Sequence, residues 1–516
     1  MGKTVMLQGT SSHVGKSILT TALCRIFWQN GWSVAPFKAQ NMALNSYVTF
    51  TGGEMGRAQV AQAEAAGLAP LVEMNPVLLK PTGNSSSQVI LMGKSIGNMS
   101  AKEYHTGYSL RALKTVEQCL RKLLTEYAVV VIEGAGSPAE VNLKANDIVN
   151  MRVAKMVNAP VLLIADIDRG GALAAVVGTL ELLDSTEREL VKGIIINKFR
   201  GDKDLLQPAL DFLEQKTGKP VLGVIPYLDK LGIEDEDSVS LDDKKIDETV
   251  KADLTIVVMR TPKIANFTDF DVLAVEEDVF LRYVQPGEKI GQPDLIIIPG
   301  SKSTIADLIY LRNEGYEEEI KQLVKKGIPI IGICGGYQML GREIFDPEHT
   351  ESEIGQIMGL GLLPIQTTFV ATKMTSQVKA AAVHNSFLGI NYSAPCLKGY
   401  EIHMGRTKCL EESKPAFTIL ERSGKTTAIT DGQVSHNDLV MGTYIHGIFD
   451  NDDFRRTLLN SLRMKKGLAP MAGMQSTAAD KQASFDRLAK TVRENLRMDL
   501  LYQIMGMEDY IWPHKD

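Results

Sequence analysis

The stretch that most constrains this chain is residues 329–340, PIIGICGGYQML. A β-branched apolar run ends at Ile333, Cys334 stands at the bend, and a glycine pair opens a helical pattern. A strand, a nucleophile and a helix in that order require an α/β sheet with a thiol raised at its rim. Gly332 and Gly336 remove Cβ atoms that would collide in so tight a turn. The amides after the cysteine, Gly335 first, then face the place where an oxyanion would form. A buried free cysteine ordinarily packs as a small hydrophobe. Glycines on both sides, with a strand before and a helix after, point instead to a nucleophile.

The rest of the chain must supply what such a thiol serves. With 516 residues, two or three domains are expected. A net charge of −6 argues against a nucleic-acid surface. The five cysteines form no C-x-x-C pair, which fits a reducing compartment. No apolar run has the length of a membrane span, and the first residues, MGKTVMLQG, hold no signal-peptide core. A soluble, cytoplasmic protein is the expectation.

In the front half, apolar strands are expected at 4–8, 33–37, 127–132, 160–166, 193–197 and 221–226, with helical patterns between them. That alternation predicts a parallel, helix-flanked sheet. The first strand runs into GTSSHVGKS, residues 9–17, then a helix over 18–29. The strict phosphate-binding loop is G-x-x-x-x-G-K-[ST]. Here Thr10 takes the first glycine's place and Gly9 lies one residue early, but the ending is intact. Gly15 permits close approach of phosphate to the backbone at a helix N-terminus. Lys16 is placed to neutralise β/γ oxygens and Ser17 to ligate Mg²⁺. Glu133, closing an apolar strand before GAGSP, is the expected second Mg²⁺ ligand, in competition with a water-facing strand-end carboxylate.

Other strand ends point at the same crevice. Asp166, Asp168 and Arg169 cluster in ADIDRGG. Asn197, in NKFRGD, resembles a base-reading asparagine. Asp202 lies two places beyond the guanine-reading position, so adenine is favoured. The polar stretch FKAQNMALNS, residues 37–46, offers Lys38, Gln40, Asn41 and Asn45 as anion holders, although by itself it reads as a solvated loop.

Residues 231–253 turn acidic and apolar-poor and read as a linker. The strand pattern restarts at 254–260, and 295–298 leads into PGSKST, where Gly300 is placed to offer a second oxyanion amide. A thiol nucleophile needs a base. His446, at the end of a strand-like run in MGTYIHGIFD, is the best candidate. From 452 onward a helical pattern puts Phe485, Leu488, Val492 and Leu496 on one face, as in a packing appendage. The expected domains are 1–235, 252–450 and 451–516.

Two resemblances sharpen this reading. GTSSHVGKS is similar to the phosphate-binding loop of dethiobiotin-synthetase-like enzymes, and Ser11 stands where partitioning ATPases expect a lysine. GICGGYQ resembles the G-x-C-x-G-x-Q signature of class I, triad-type glutamine amidotransferases. That likeness implies two doubly wound parallel-sheet domains, the second flavodoxin-type, with a helical C-terminal extension. It also implies that Cys334 attacks the side-chain amide of glutamine, that His446 moves the proton, and that Gly300, Gly335 and Gln338 line the glutamine site. The wider superfamily places an acid two residues after the histidine, where this chain has Ile448; either a dyad suffices or another acid, such as Glu401, stands behind the imidazole. A relic amidotransferase half would have lost Cys334, Gly332, Gly336 or Gln338, and all four are present.

Pairing the halves gives a reaction. Ammonia freed from glutamine needs an activated acceptor, and phosphoryl transfer from Mg-ATP turns a carboxylate into an acyl phosphate. The ordered set GTSSHVGKS, FKAQNMALNS, GEMGRAQ, MNPVLLKP, EGAGSP, ADIDRGG, NKFRGD, GICGGYQML, GYEIHMG and YIHGIFD resembles the cobyric acid synthase family of cobalamin biosynthesis. The resemblance implies a corrinoid substrate, adenosylcobyrinic acid a,c-diamide, amidated at its b, d, e and g carboxylates. In that case Lys38, Asn41, Asp166, Asp168 and Arg169 are possible acceptor-site residues. The nearest alternative is a related amidoligase acting on another polycarboxylate, such as a cobyrinic acid a,c-diamide synthase.

Overall fold

A computed structural model describes residues 2–83, 85–228, 232, 252–383, 387–390, 396–412, 414–473 and 476–508. The expected linker at 231–253 lies almost wholly outside them.

The front half is built on six parallel strands: β1 (Lys3–Gly9), β2 (Val34–Phe37), β3 (Val129–Glu133), β4 (Val161–Asp166), β5 (Val191–Phe199) and β6 (Val221–Pro226). Their spatial order is β6-β5-β4-β1-β3-β2. The central strands are apolar along their length because both faces are covered; all five residues of β3, VVVIE, are buried. Helix α1 (Lys16–Gln29) follows β1 directly, with Gly15 at φ 99° as its N-cap. A Cβ on Gly15 would lie 2.1 Å from Asn197 Nδ2, so both conformation and space demand glycine. The strand order reverses beside β1, which places the C-terminal ends of β1, β3, β4 and β5 around one crevice.

The rear half repeats the plan. Strands β7 (Leu254–Met259), β8 (Val279–Val284), β9 (Leu295–Ile298), β10 (Ile330–Ile333), β11 (Gln433–Val434) and β12 (Val440–Thr443) lie in the order β8-β7-β9-β10-β12-β11. All pairs are parallel except β11 with β12. Two mixed, mainly antiparallel additions go beyond the sequence expectation. One is a small sheet formed by 40–42, 77–81, 86–91 and 94–100. The other is built on two long strands, Ile365–Ala382 and Leu397–Cys409, the second of which pairs with Ile445–His446.

The C-terminal region divides between the halves instead of forming one appendage. Helix α5 (Asp452–Lys465) sits on the rear half through buried guanidinium groups, Arg455 with Glu276 at 2.6 Å and Arg463 with Asp278 at 2.9 Å. Helices α6 (Thr477–Asn495) and α7 (Met498–Ile504) return to the front half. Their buried face, Leu488, Val492 and Leu501, joins the apolar cluster under α1. Arg25 meets Asp486 there at 2.8 Å. Among the described residues, no helix is long and apolar enough to cross a membrane.

Candidate active site

Cys334 lies between β10 and the short helix α4 (Gly335–Leu340), at φ 51° and ψ −104°. A non-glycine residue held at positive φ is strained, and such strain concentrates where a side chain must be presented. The glycines that permit the turn are mandatory: a Cβ on Gly336 would lie 2.0 Å from Ile298 O, and one on Gly332 2.6 Å from Leu340 Cδ1. The amide of Cys334 is fixed on Thr443 O at 2.8 Å.

His446 and Cys334 line one cavity, where the thiol acts on the imidazole; the Sγ also lies 3.5 Å from Ile402 O. The imidazole Nδ1 meets Asp269 Oδ2 at 2.6 Å, and the ring stacks on Tyr400 at 5.2 Å and 15°. Burial alone would lower the imidazole's pKa. The Asp269 carboxylate, its hydrogen bond and the Cys334 thiol outweigh it and push the value up to about 10. At neutral pH an imidazolium therefore stands against the sulfur, the partner that a thiolate nucleophile needs.

The acid behind His446 is thus Asp269, not Glu401. Tyr400 pairs with His446 and Glu401 with Ile445, so strand alternation turns Glu401 to the other face. There Arg422 holds it through two hydrogen bonds, of 2.8 and 2.9 Å. Sequence reasoning missed Asp269, which lies 177 residues from its partner. One signal was available: it follows the first strand of the second sheet, at the end where such sheets place ligands.

Gly300 and Ser301 pair antiparallel with Ile264 and Ala265 and run past the elbow. A Cβ on Gly335 would come within 2.8 Å of Ser301 N, which puts the two backbones side by side at the thiol. Ser301 Oγ donates to buried Asp307 at 2.6 Å, bracing that turn. Gln338 is buried; its Oε1 accepts from Thr304 and its Nε2 donates to the Tyr444 hydroxyl, so it shapes the pocket wall from a fixed position.

One cavity holds Cys334, His446, Gly300 and Gln338 together with Lys80 and Gln88 of the front half. At this junction Glu54 receives Lys80 at 2.9 Å and Lys373, from the rear half, at 2.6 Å. Lys373 also donates to Gln88 at 3.1 Å. Burial alone would raise the Glu54 carboxyl; the two ammonium groups hold it well below the usual range. The stretch expected to read as a solvated loop is the joint itself. Lys38, Asn41 and Asn45 are buried. Asn45 Oδ1 accepts from Phe267 N at 3.2 Å, and Ser46 N donates to Asn266 Oδ1 at 3.0 Å, two residues and three residues before Asp269.

The front crevice gathers the other expected residues. Ser17 Oγ donates to Glu133 Oε1 at 2.8 Å, Lys38 Nζ reaches the same oxygen at 2.8 Å, and Gln62 Nε2 meets Oε2 at 2.5 Å. Lys16 Nζ lies on Ser11 O and Gly136 O. Gly9 has a use despite its displaced position, since a Cβ there would lie 2.9 Å from Lys16 Nζ. Thr10 N continues the ladder to Ile164 O at 2.9 Å. Asn197 Nδ2 donates to Val14 O at 2.7 Å and braces the loop. Asp166 takes Lys198 at 2.8 Å, Asp168 pairs with Arg200 at 3.2 Å, and Arg169 is exposed beside them. Lys38 is engaged by Glu133, and Asn41 Nδ2 donates to Gln59 at 3.0 Å, so neither projects freely toward an acceptor. A hydroxyl and a carboxylate in contact are hard oxygen donors that suit Mg²⁺, which takes its remaining ligands from phosphates and water.

A nucleotide-binding crevice joined to a cysteine–histidine–aspartate centre defines an ATP-dependent glutamine amidotransferase. The comparisons agree in both halves. Residues 5–240 match the model described as the CobQ/CobB/MinD/ParA nucleotide binding domain, and residues 255–454 match the CobB/CobQ-like glutamine amidotransferase domain. The chain is 55% identical over 514 residues to cobyric acid synthase of Pelotomaculum thermopropionicum, covering 98% of this chain and 97% of that one. Against the enzyme of Moorella thermoacetica it is 54% identical over 518 residues, with both chains fully covered. Against that of Photorhabdus laumondii it is 51% identical over 511 residues, covering 98% of each. The chain belongs to the cobyric acid synthase family and is a glutamine-hydrolysing ligase.

Proposed function

We propose that this enzyme amidates the b, d, e and g carboxylates of adenosylcobyrinic acid a,c-diamide, one ATP and one glutamine per step, in the cytoplasm. The observation that carries the division of labour is the shared cavity, in which the thiol of the rear half faces Lys80 and Gln88 of the front half.

Cys334 attacks the side-chain amide of glutamine, and His446, oriented by Asp269, gives the proton that lets ammonia leave. The backbone amides at Gly335 and Gly300 face the oxyanion. Water then attacks the thioester, with His446 as base, and releases glutamate. In the front half Lys16 neutralises charge on the transferring phosphoryl group, and Asn197 keeps the loop in shape through its bond to Val14 O. Ser17 and Glu133 would hold Mg²⁺, which when bound spreads the phosphate charge. A substrate carboxylate takes the γ-phosphoryl group and becomes an acyl phosphate. Ammonia attacks that carbon, phosphate leaves, and an amide remains. Asp166 and Asp168, ion-paired with Lys198 and Arg200, and the exposed Arg169 beside them would form the polar edge that a substrate meets. A joint closed by buried ion pairs favours internal transfer, because free ammonia protonates and acyl phosphate hydrolyses in water.

The test is mass spectrometry of the corrinoid after incubation with enzyme, Mg-ATP and glutamine. Successive amidations at the remaining carboxylates are expected. Glutamine hydrolysis with an unchanged corrinoid, but amidation of a different polycarboxylate, would overturn the substrate assignment.

A further inference from the structure

The cavity that holds the thiol carries two charged groups that the mechanism above leaves unused, Lys302 and Glu351. Two other ammonium groups on its wall are already consumed, Lys80 by Ser46 and Glu54, and Lys373 by Glu54 and Gln88. Lys302 differs: its Nζ makes no hydrogen bond or ion pair with any described residue. Glu351 accepts backbone bonds from Thr304 and Ile305 in the first turn of helix α3 (Thr304–Asn313), the latter at 3.4 Å, and forms no ion pair with a described residue. The two face one cavity, feel each other's charge, and make no ion pair at contact distance. Burial holds the Lys302 ammonium below its ordinary value and pushes the Glu351 carboxyl above its own. Half-buried charges without a contact partner are costly, and the cost is offset when a ligand brings each a close counter-charge.

The required ligand has one carboxylate and one ammonium at its head and a reactive group at its tail. Lys302 stands two residues past Gly300, whose backbone runs beside the thiol, so a head held there directs its tail toward Cys334. Resting on the glutaminase reading above, we propose that Lys302 binds the α-carboxylate of glutamine and Glu351 its α-ammonium, so that the pair selects a free α-amino acid and aims its side-chain amide at Cys334.

The test uses the full chain and three amides: L-glutamine, glutaric acid monoamide, which lacks the ammonium, and 4-aminobutanamide, which lacks the carboxylate. A charge-assisted hydrogen bond is worth about 10- to 100-fold in affinity. The wild-type enzyme should show KM raised by that factor for each analogue. Lys302→Met should raise the KM for glutamine about 10- to 100-fold with kcat within threefold, and leave the KM for 4-aminobutanamide unchanged. Glu351→Gln should do the same for glutamine while sparing glutaric acid monoamide. If Glu351 merely caps helix α3, its melting temperature falls and all three amides suffer alike, which overturns the proposal. An unchanged glutamine KM in Lys302→Met overturns it too, and so does a wild-type enzyme indifferent to either missing group, a result that needs no variant to fold. Loss of these preferences with Cys334-dependent glutaminase intact sinks only this assignment. Glutamine-dependent amidation that survives Cys334→Ala sinks the underlying reading.

Discussion

Asp269→Asn isolates the charge behind His446 while keeping its shape. In the folded protein the imidazole is pushed from 6.5 up to about 10. At about 1.36 kcal/mol per pKa unit this is a preference of about 5 kcal/mol for the imidazolium, reached against the cost of burial. The contact that carries it is the 2.6 Å bond from Nδ1 to Asp269. Removing one partner of a buried charged pair costs about 3–5 kcal/mol. Asparagine retains an acceptor, but its amide can also stabilise the wrong tautomer. The expected result is a fall in kcat/KM for glutamine of about 10²- to 10⁴-fold, read as glutamate released, with ammonium-dependent amidation unchanged. Stability should respond as well. The native pKa lies above the unfolded one, so the contribution is complete below pH 6.5 and is lost as pH rises through about 10. Thermal melts of the wild type should therefore decline across that window, and those of Asp269→Asn should be flatter. Glutaminase activity within threefold of wild type would refute the assignment of Asp269.

The division between the halves makes further predictions. Cys334→Ala should abolish amidation from glutamine while ammonium still supports it. Lys16→Ala should stop amidation from either nitrogen source and leave glutamine hydrolysis measurable. Glu54→Gln leaves Lys80 and Lys373 without their shared counter-charge; it should lower the melting temperature, by about 3–5 kcal/mol in stability, and raise the glutamate formed per amide made above one. A stoichiometry that stays at one in that variant would show that the junction does not contain the ammonia.

The features legible in the sequence are those whose cause is local. The elbow could be read because strand, bend and helix lie within twelve residues and because glycine is the sole residue that fits beside Ile298 O. Ser17 and Glu133 could be read because each ends or begins a regular element at the same edge, and they meet at 2.8 Å. Asp269 could not, since its role arises only when the two sheets bring positions 177 apart together. Glu401 lies in the very strand that pairs with His446, and side-chain alternation turns it away. The polar 37–46 stretch shows the same limit. Its amides suit water equally well, and they are buried because distant segments supply their partners, Gln59 for Asn41 and, from the other half, Phe267 for Asn45 and Asn266 for the Ser46 amide. The long antiparallel strands around His403 also escaped notice, as did the parting of α5 from α6 and α7, both set by packing between distant segments.

The central claim is that nitrogen freed at Cys334 reaches the activated carboxylate from within the protein. Amide-¹⁵N-labelled glutamine, supplied with Mg-ATP, corrinoid and an excess of unlabelled ammonium, tests it by mass spectrometry of the product. The account predicts amides that carry the glutamine label essentially undiluted. Label diluted to the ratio in bulk solution would contradict it.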